Sequence, residues 1–291
     1  MNTNNKIGNL GMFMRIAVGG AIEIAQAEAA HYQRIPKVHY DGMQEDLVTS
    51  ADLKVQEHYQ LLVKNHYPND PLVGEEGEDK DEVTGRRFTC DPVDGTKAYG
   101  RNQSTGVSTM FAHVDDEEEV NAVCLGDINT GEIYQYAPDL SPIRTRFGIT
   151  SFLGMEWNKP LGKQYVLLRH PLDEFPKNVQ KMVRAERGGL FKDMEVTSGS
   201  IGLTISRLWK QEVAMVIIEK SYETPWDTTP LIGMNKVLGI TYIKVDPVTG
   251  KAEATDAFAP TKVYKRDCVL IMVHHTYQQK VIDWLNQHAE A

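Results

Sequence analysis

Cysteine is scarce in this 291-residue chain: Cys90, Cys124 and Cys268 are odd in number, far apart, and form no Cys-x-x-Cys pair. That excludes a zinc ribbon and a disulfide framework and leads to the expectation of a reducing, cytoplasmic setting. Positive charge is short as well, with 31 Lys and Arg against 40 Asp and Glu, a net charge of -9. A general nucleic-acid binder needs a basic stripe to replace phosphate counterions, so a nucleic-acid polymer is not an expected partner. A phosphate ester stays open as a ligand, because a bound divalent cation reverses the sign of an acidic site. No apolar run reaches the ~20 residues of a membrane span. Residues 12–30 come nearest, with Arg15 ahead of an Ala- and Ile-rich stretch, but Glu23 interrupts it. Phe13, Ile16, Ala17, Gly20 and Ile24 recur at helical spacing, which predicts an amphipathic first helix, not a signal peptide or a membrane anchor. Internal repeats and low-complexity tracts are also missing.

What is present is an ordinary globular composition, 41% hydrophobic, sufficient for a buried core. A helix is expected over residues 6–32, then a loop with Pro36, Asp41 and Gly42, and a second helix over 51–67 that stops before Pro68. Leu72 and Val73 form a short strand ending at Glu75. The acidic run at Glu78, Asp79, Asp81 and Glu82 reads as a solvated loop. Strands at 107–112, 120–125 and 132–136, separated by Asp115-Asp116 and by Asn129 to Gly131, predict a meander. Beyond it strands at 166–168 and 213–218 alternate with helices at 176–187, 202–211 and 228–238. The expected class is α/β, with an α+β half over 1–144 and an α/β half over 145–291, the boundary lying within 141–148.

The sharpest local signal is Asp91-Pro-Val-Asp-Gly-Thr96. Two carboxylates lie three apart at a strand end, and Gly95 and Thr96 open what looks like a helix from Lys97. A sharp turn would let Asp91, Asp94 and the Val93 carbonyl converge as the oxygen ligands a hard cation such as Mg²⁺ requires. The free N–H groups of a helix start suit a phosphate. The plain alternative is a turn, since Asp-Pro and Asp-Gly are both turn formers. Three companions stand beside it: Asp46-Leu-Val-Thr-Ser-Ala-Asp52, Gly74-Glu-Glu-Gly77 and Pro225-Trp-Asp227. Taken singly, Asp52 and Asp227 read as helix caps.

Together these segments resemble the inositol monophosphatase and fructose-1,6-bisphosphatase superfamily, whose Asp-x-Val-Thr-x-x-Asp, Gly-Glu-Glu, Asp-Pro-x-Asp-Gly-Thr and Trp-Asp elements occur here in the same order. Ser198-Gly-Ser-Ile-Gly-Leu203, leading into Val213-Ala214, adds a further match, so that the resemblance runs from about Gly11 to Gly250. It implies a layered α/β/α/β/α sandwich, commonly a homodimer. It also implies a phosphomonoesterase that uses two or three Mg²⁺ ions, is sensitive to Li⁺, and acts on a small phosphorylated metabolite of the inositol-phosphate kind. The metal ligands would be Glu75, Asp91, Val93, Asp94 and Asp227, and Asp52 and Thr96, with Glu75, would serve the attacking water. Gly95, Thr96, Gly199, Ser200, Ile201 and Lys220 would meet the substrate.

Lys97 after the Asp-Gly-Thr, Val237-Leu-Gly239 in place of the usual Ala-Gly-Gly, and Lys220 seven before Asp227 depart from the inositol-selective pattern. They keep 3′(2′),5′-bisphosphate nucleotidase, histidinol-phosphatase and fructose-bisphosphatase activities open. Lys220 would favour an anionic distal group, helped by Lys97 and Arg101 on one helix face, unless it pairs with Glu223 while Glu219 turns inward. A haloacid-dehalogenase-like phosphatase is rejected by the two residues between the carboxylates. A calcium loop is rejected by the dispersal of the acids. A divalent-ion-binding homologue without turnover should have lost a ligand, and none is lost. Adjacent His274 and His275 would point to opposite strand faces and are read as structural.

Overall fold

The computed structural model describes residues 9–38, 45–76, 82–154 and 157–289. The expected helix start at Lys6, the turn at Asp41 and Gly42, Gly77, and the acidic residues at 78, 79 and 81 lie outside them.

Helix α1 (Leu10–Glu28) begins where the Asn9 side chain accepts the Met12 N–H. Its buried residues Phe13, Met14, Ala17, Val18, Ala21, Ile22 and Ala25 follow the helical period and form one face. The expected loop around Pro36 is instead an antiparallel pair, β1 (Arg34–Val38) with β2 (Glu45–Thr49). Pro36 is tolerated because a two-stranded ribbon has only edge strands. Helix α2 (Ser50–His66) follows directly and ends with Tyr67 as its C-cap, ahead of Pro68. Then come β3 (Leu72–Gly74), β4 (Arg87–Asp94), the single turn α3 (Thr96–Tyr99), β5 (Ser108–Val114), β6 (Val120–Asp127), β7 (Ile133–Ala137), β8 (Leu140–Arg146) and β9 (Ile149–Phe152). Strands β3 to β9 form one sheet in chain order, parallel only between β3 and β4. The expected boundary at 144/145 falls inside β8. The sheet runs on to Phe152, because a polar, largely exposed edge hairpin looks like a linker in sequence but still pairs through its backbone.

The second half holds β10 (Tyr165–Leu168), α4 (Lys177–Met182), β11 (Asp193–Val196), α5 (Ile201–Trp209), β12 (Met215–Ile218), β13 (Ser221–Glu223), α6 (Pro225–Val237), β14 (Ile240–Val245), β15 (Ala252–Thr255), β16 (Tyr264–Arg266), β17 (Val269–His274) and α7 (His275–Gln287). Its six-stranded sheet has the order β11-β10-β12-β17-β14-β15, and β13 pairs separately with β16. Three cores alternate with the two sheets. One lies between α1, α2 and the first sheet, the second encloses α5 and α6 between the sheets, and the third lies beneath α4 and α7. The result is the five-layered α/β/α/β/α sandwich. At the start of α7, the alternation argument for His274 and His275 does not apply. The strand ends between them, so the rings meet at 4.2 Å, and His274 stacks on Trp157 at 4.9 Å in a structural role.

Candidate metal centre

Residues three apart on a regular strand face opposite sides, yet Asp91 and Asp94 converge. The reason is a bulge: Asp91 pairs with Met110 and Asp94 with Ser108, so β4 carries one residue more than β5 across this step. Pro92, which has no N–H to leave unpaired, sits in it, and the bulge re-aims the side chains. Asp227 joins them from the first turn of α6, where the N-cap is Thr224, not Asp227. The Thr224 hydroxyl accepts the Asp227 N–H at 3.0 Å and donates to its carboxylate at 2.8 Å. One oxygen from each of Asp91, Asp94 and Asp227 lies within 4.8 Å of the others.

These carboxylates are not equivalent. Asp94 is saturated: one oxygen accepts the Ile201 N–H at 2.9 Å, and the other accepts Ser200 Oγ at 2.5 Å, the Gly202 N–H at 2.8 Å and Ser108 Oγ at 3.0 Å. Ser200 and Ile201, expected to face the substrate, thus hold Asp94 through the start of α5. Ser200 is fully buried and does not line the cavity. Asp91 is the opposite case. It is buried, and its Oδ1 has no hydrogen-bond partner among the described residues. Burial, then the charges of Glu75, Asp227 and Asp94, hold it well above the ordinary carboxylate range. Burial and Asp94 likewise raise Asp227 to about 6. A cluster of oxygen donors around an orphaned buried carboxylate oxygen fits a hard divalent cation. Glu75 lines the same cavity outside the 4.8 Å cluster.

Asp52 unites two roles. As the third residue of α2 it accepts the backbone N–H of the N-cap Thr49 at 2.8 Å through one oxygen. Its other oxygen accepts the Thr96 hydroxyl at 3.2 Å, and that hydroxyl also lies 3.0 Å from the Val93 carbonyl. Burial lifts Asp52 to about 6, against the hydrogen bonds from Thr49. Thr96 and Val93 line the cavity together with Gly95, Gly199 and Ile201.

The cavity has a volume of about 490 Å³. Lys220 is exposed and absent from its lining. Inside its turn sits Arg266, which donates to the Glu223 carboxylate at 2.6 Å and to the Glu219 carbonyl at 3.1 Å. Glu223 is therefore the lining acid, and its partner is Arg266, not Lys220. Lys97 and Arg101 do not share a helix face either, because α3 ends at Tyr99. Sequence reasoning missed Arg169 and Arg266 and took Glu223 only as a partner for Lys220. The available signal for Arg169 was a cation directly after the apolar strand 166–168, at the carboxyl end where open α/β sheets place ligands.

Three glycines pack backbone against backbone beside this cavity. Gly95, Gly106 and Gly199 have φ of +93°, +82° and +84°. A Cβ on Gly95 would lie 2.3 Å from the Gly106 carbonyl oxygen, and one on Gly199 would lie 2.7 Å from the same atom.

The sequence model of the inositol monophosphatase family matches residues 12–134, a likeness with which the fold and the carboxylate cluster agree. A histidinol-phosphatase of Chlorobaculum parvum is 35% identical over 91 residues, 30% of this chain and only about a third (33%) of that protein. A Thermotoga maritima inositol monophosphatase superposes with a TM-score of 0.71 at 15% identity, covering 95% of this chain and 96% of the other. An inositol monophosphatase/NADP phosphatase complexed with NADP and Ca²⁺ gives 0.73 at 15% identity over 96% and 97%. The same kind of enzyme has also been solved with Mg²⁺ and phosphate. At these identities the structural likeness is one of fold.

Raised carboxylates carry a consequence for stability. Groups whose folded pKa exceeds the unfolded ~4 disfavour the folded state increasingly as pH climbs from about 4 through 6. A divalent cation binds the deprotonated form and reverses this. Mg²⁺ should raise the melting temperature by about 5 °C at a hundred times its Kd near pH 7.5, and by clearly less at pH 5. Differential scanning fluorimetry at the two pH values checks it; equal shifts would dissociate the cation from these acids.

Proposed function

We propose that the chain is a Mg²⁺-dependent phosphomonoesterase acting on a small phosphorylated metabolite. The observation that carries this reading is the cluster of buried Asp91 and Asp94 with half-buried Asp227 and its unsatisfied Asp91 oxygen, lining the same cavity as Thr96, whose hydroxyl reaches Asp52. Asp91, Asp94 and Asp227 would hold the ions, with Glu75 and the Val93 carbonyl completing two or three sites. When bound, the ions supply Lewis-acid activation of water and neutralise charge on the leaving oxygen. Thr96 accepts a proton from the attacking water as its own hydroxyl proton moves to Asp52. The raised pKa of Asp52, about 6, suits a base working near neutrality. No side-chain nucleophile is required.

The chain acts in this reading as a homodimer in a reducing, cytoplasmic compartment, apart from membranes and nucleic-acid polymers, and is inhibited by Li⁺. Helix α1 has the length and apolar composition of a membrane span, but its apolar face is buried in the first core. Tyr222, Tyr264 and Phe258 on the cavity lining favour a substrate with a flat ring over a bare polyol, which keeps the nucleotidase and histidinol-phosphatase activities beside the inositol-phosphate one.

Phosphate release from inositol 1-phosphate, histidinol phosphate, fructose 1,6-bisphosphate and adenosine 3′,5′-bisphosphate tests the reading. Activity should vanish with a chelator and return with millimolar Mg²⁺. Thr96→Ala and Asp52→Asn should each lower kcat by about 10²- to 10⁴-fold with little change in KM. A change confined to KM would assign that residue to the substrate groove or to capping alone.

A further inference from the structure

Among the cations on the cavity lining, Arg169 and Arg266 differ in what neutralises them. Arg266 is spoken for by Glu223 at 2.6 Å. Arg169 forms no ion pair among the described residues. Its two terminal nitrogens donate to uncharged acceptors, Thr204 Oγ1 and the Gly199 carbonyl, each at 3.0 Å. Asp94 and Asp227 act on it through space only. These two hydrogen bonds fix the guanidinium plane against α5 without supplying a counter-charge. A planar guanidinium held in this way is preorganised for an oxyanion.

Its position adds a second observation. Arg169 lines both the metal cavity and the adjoining cavity of about 780 Å³, whose lining includes Arg101, Thr105, Thr197 and Ser198. Arg169 is common to both linings, so it stands where the two spaces meet. We propose that Arg169 holds a second anionic group of the substrate, remote from the phosphate being cleaved, and so selects phosphomonoesters that carry a further phosphate. This rests on the phosphomonoesterase reading and assigns to Arg169 the role expected of Lys220.

The test compares pairs of esters that differ by one phosphate: adenosine 3′,5′-bisphosphate against adenosine 3′-monophosphate, and fructose 1,6-bisphosphate against fructose 1-phosphate. Wild-type protein should prefer the bisphosphate in at least one pair. Arg169→Gln should erode that preference by about ten- to hundredfold, the worth of a hydrogen bond to a charged group, and Arg169→Lys by less. A wild type without preference in either pair, or an Arg169→Gln protein that loses both members of a pair equally, would overturn the assignment. Calorimetric affinities for the two adenosine nucleotides, measured with Ca²⁺ in place of Mg²⁺, give the same comparison without turnover. Absence of phosphate release from every ester would remove the phosphatase reading alone, and the calorimetric ratio would still decide Arg169.

Discussion

Asp91→Asn is expected to lower phosphatase turnover by at least ~100-fold, since even outer-layer changes at metal sites cost ~10–100-fold, while the metal-free protein melts no lower than wild type. Asp91 is buried, one of its oxygens has no partner among the described residues, and three neighbouring acids oppose its ionisation. An amide removes that charge at nearly constant volume and relieves the repulsion. The same replacement at Asp94 should abolish activity equally but cost about 1–3 kcal/mol of stability. Asp94 accepts four hydrogen bonds, and an amide NH₂ would face N–H and O–H donors. Asp227→Asn should follow Asp91 in activity. Enzyme assays beside urea melts of the chelated proteins separate the two behaviours. Wild-type turnover in the Asp91 and Asp94 variants would sink the metal-site assignment, and equal stability losses would sink the account of how the site is held.

Gly95→Ala should destabilise the fold by about 3–5 kcal/mol, in the range reserved for severe steric or strain effects, and remove activity with it. The new Cβ would meet the Gly106 carbonyl oxygen at 2.3 Å and the Ser200 nitrogen at 2.9 Å, both backbone atoms that no rotamer change can clear. The control is Gly131→Ala. Gly131 has φ +70°, and a methyl group there would meet nothing within 4 Å, so only the left-handed backbone cost of about 1–2 kcal/mol applies. Urea melts of the two proteins read the contact as a difference. Equal losses would show that the glycines are needed for their backbone angles and not for the close approach.

The clustered carboxylates are legible in the sequence because the resemblance rests on particular side chains in a fixed order along the chain. Asp91 and Asp94 meet as the spacing suggests and Asp227 joins them as the resemblance implies, while Asp52 both accepts the N–H of the N-cap Thr49 and partners Thr96, two readings that the sequence leaves as alternatives. Legibility fails where the backbone acts. Ser200 looks like a substrate contact in a glycine-rich helix start, but its hydroxyl is consumed by Asp94 from the other half of the molecule, whereas Ile201, whose N–H Asp94 also accepts, lines the cavity. Counting back from Asp227 singles out Lys220. Which side of a short turn faces a cavity depends, however, on what packs inside it, here Arg266, forty-three positions further on from Glu223. Arg169 carries no local motif at all, only its place after a buried strand. The β1–β2 ribbon and the β8–β9 edge escape detection for a related reason: pairing through main-chain groups leaves little mark on side-chain pattern.

Helix α1 also bears on the order of synthesis. Its buried face packs against β6 so closely that Gly126 is needed there, a Cβ on it lying 2.7 Å from both Val18 and Ile22. That strand leaves the ribosome roughly a hundred residues after Glu28, about 5–20 s later at ordinary elongation rates. Within that interval α2 is the first element made that shares a core with the helix, and the part of the α1 apolar face that packs on β6 stays uncovered.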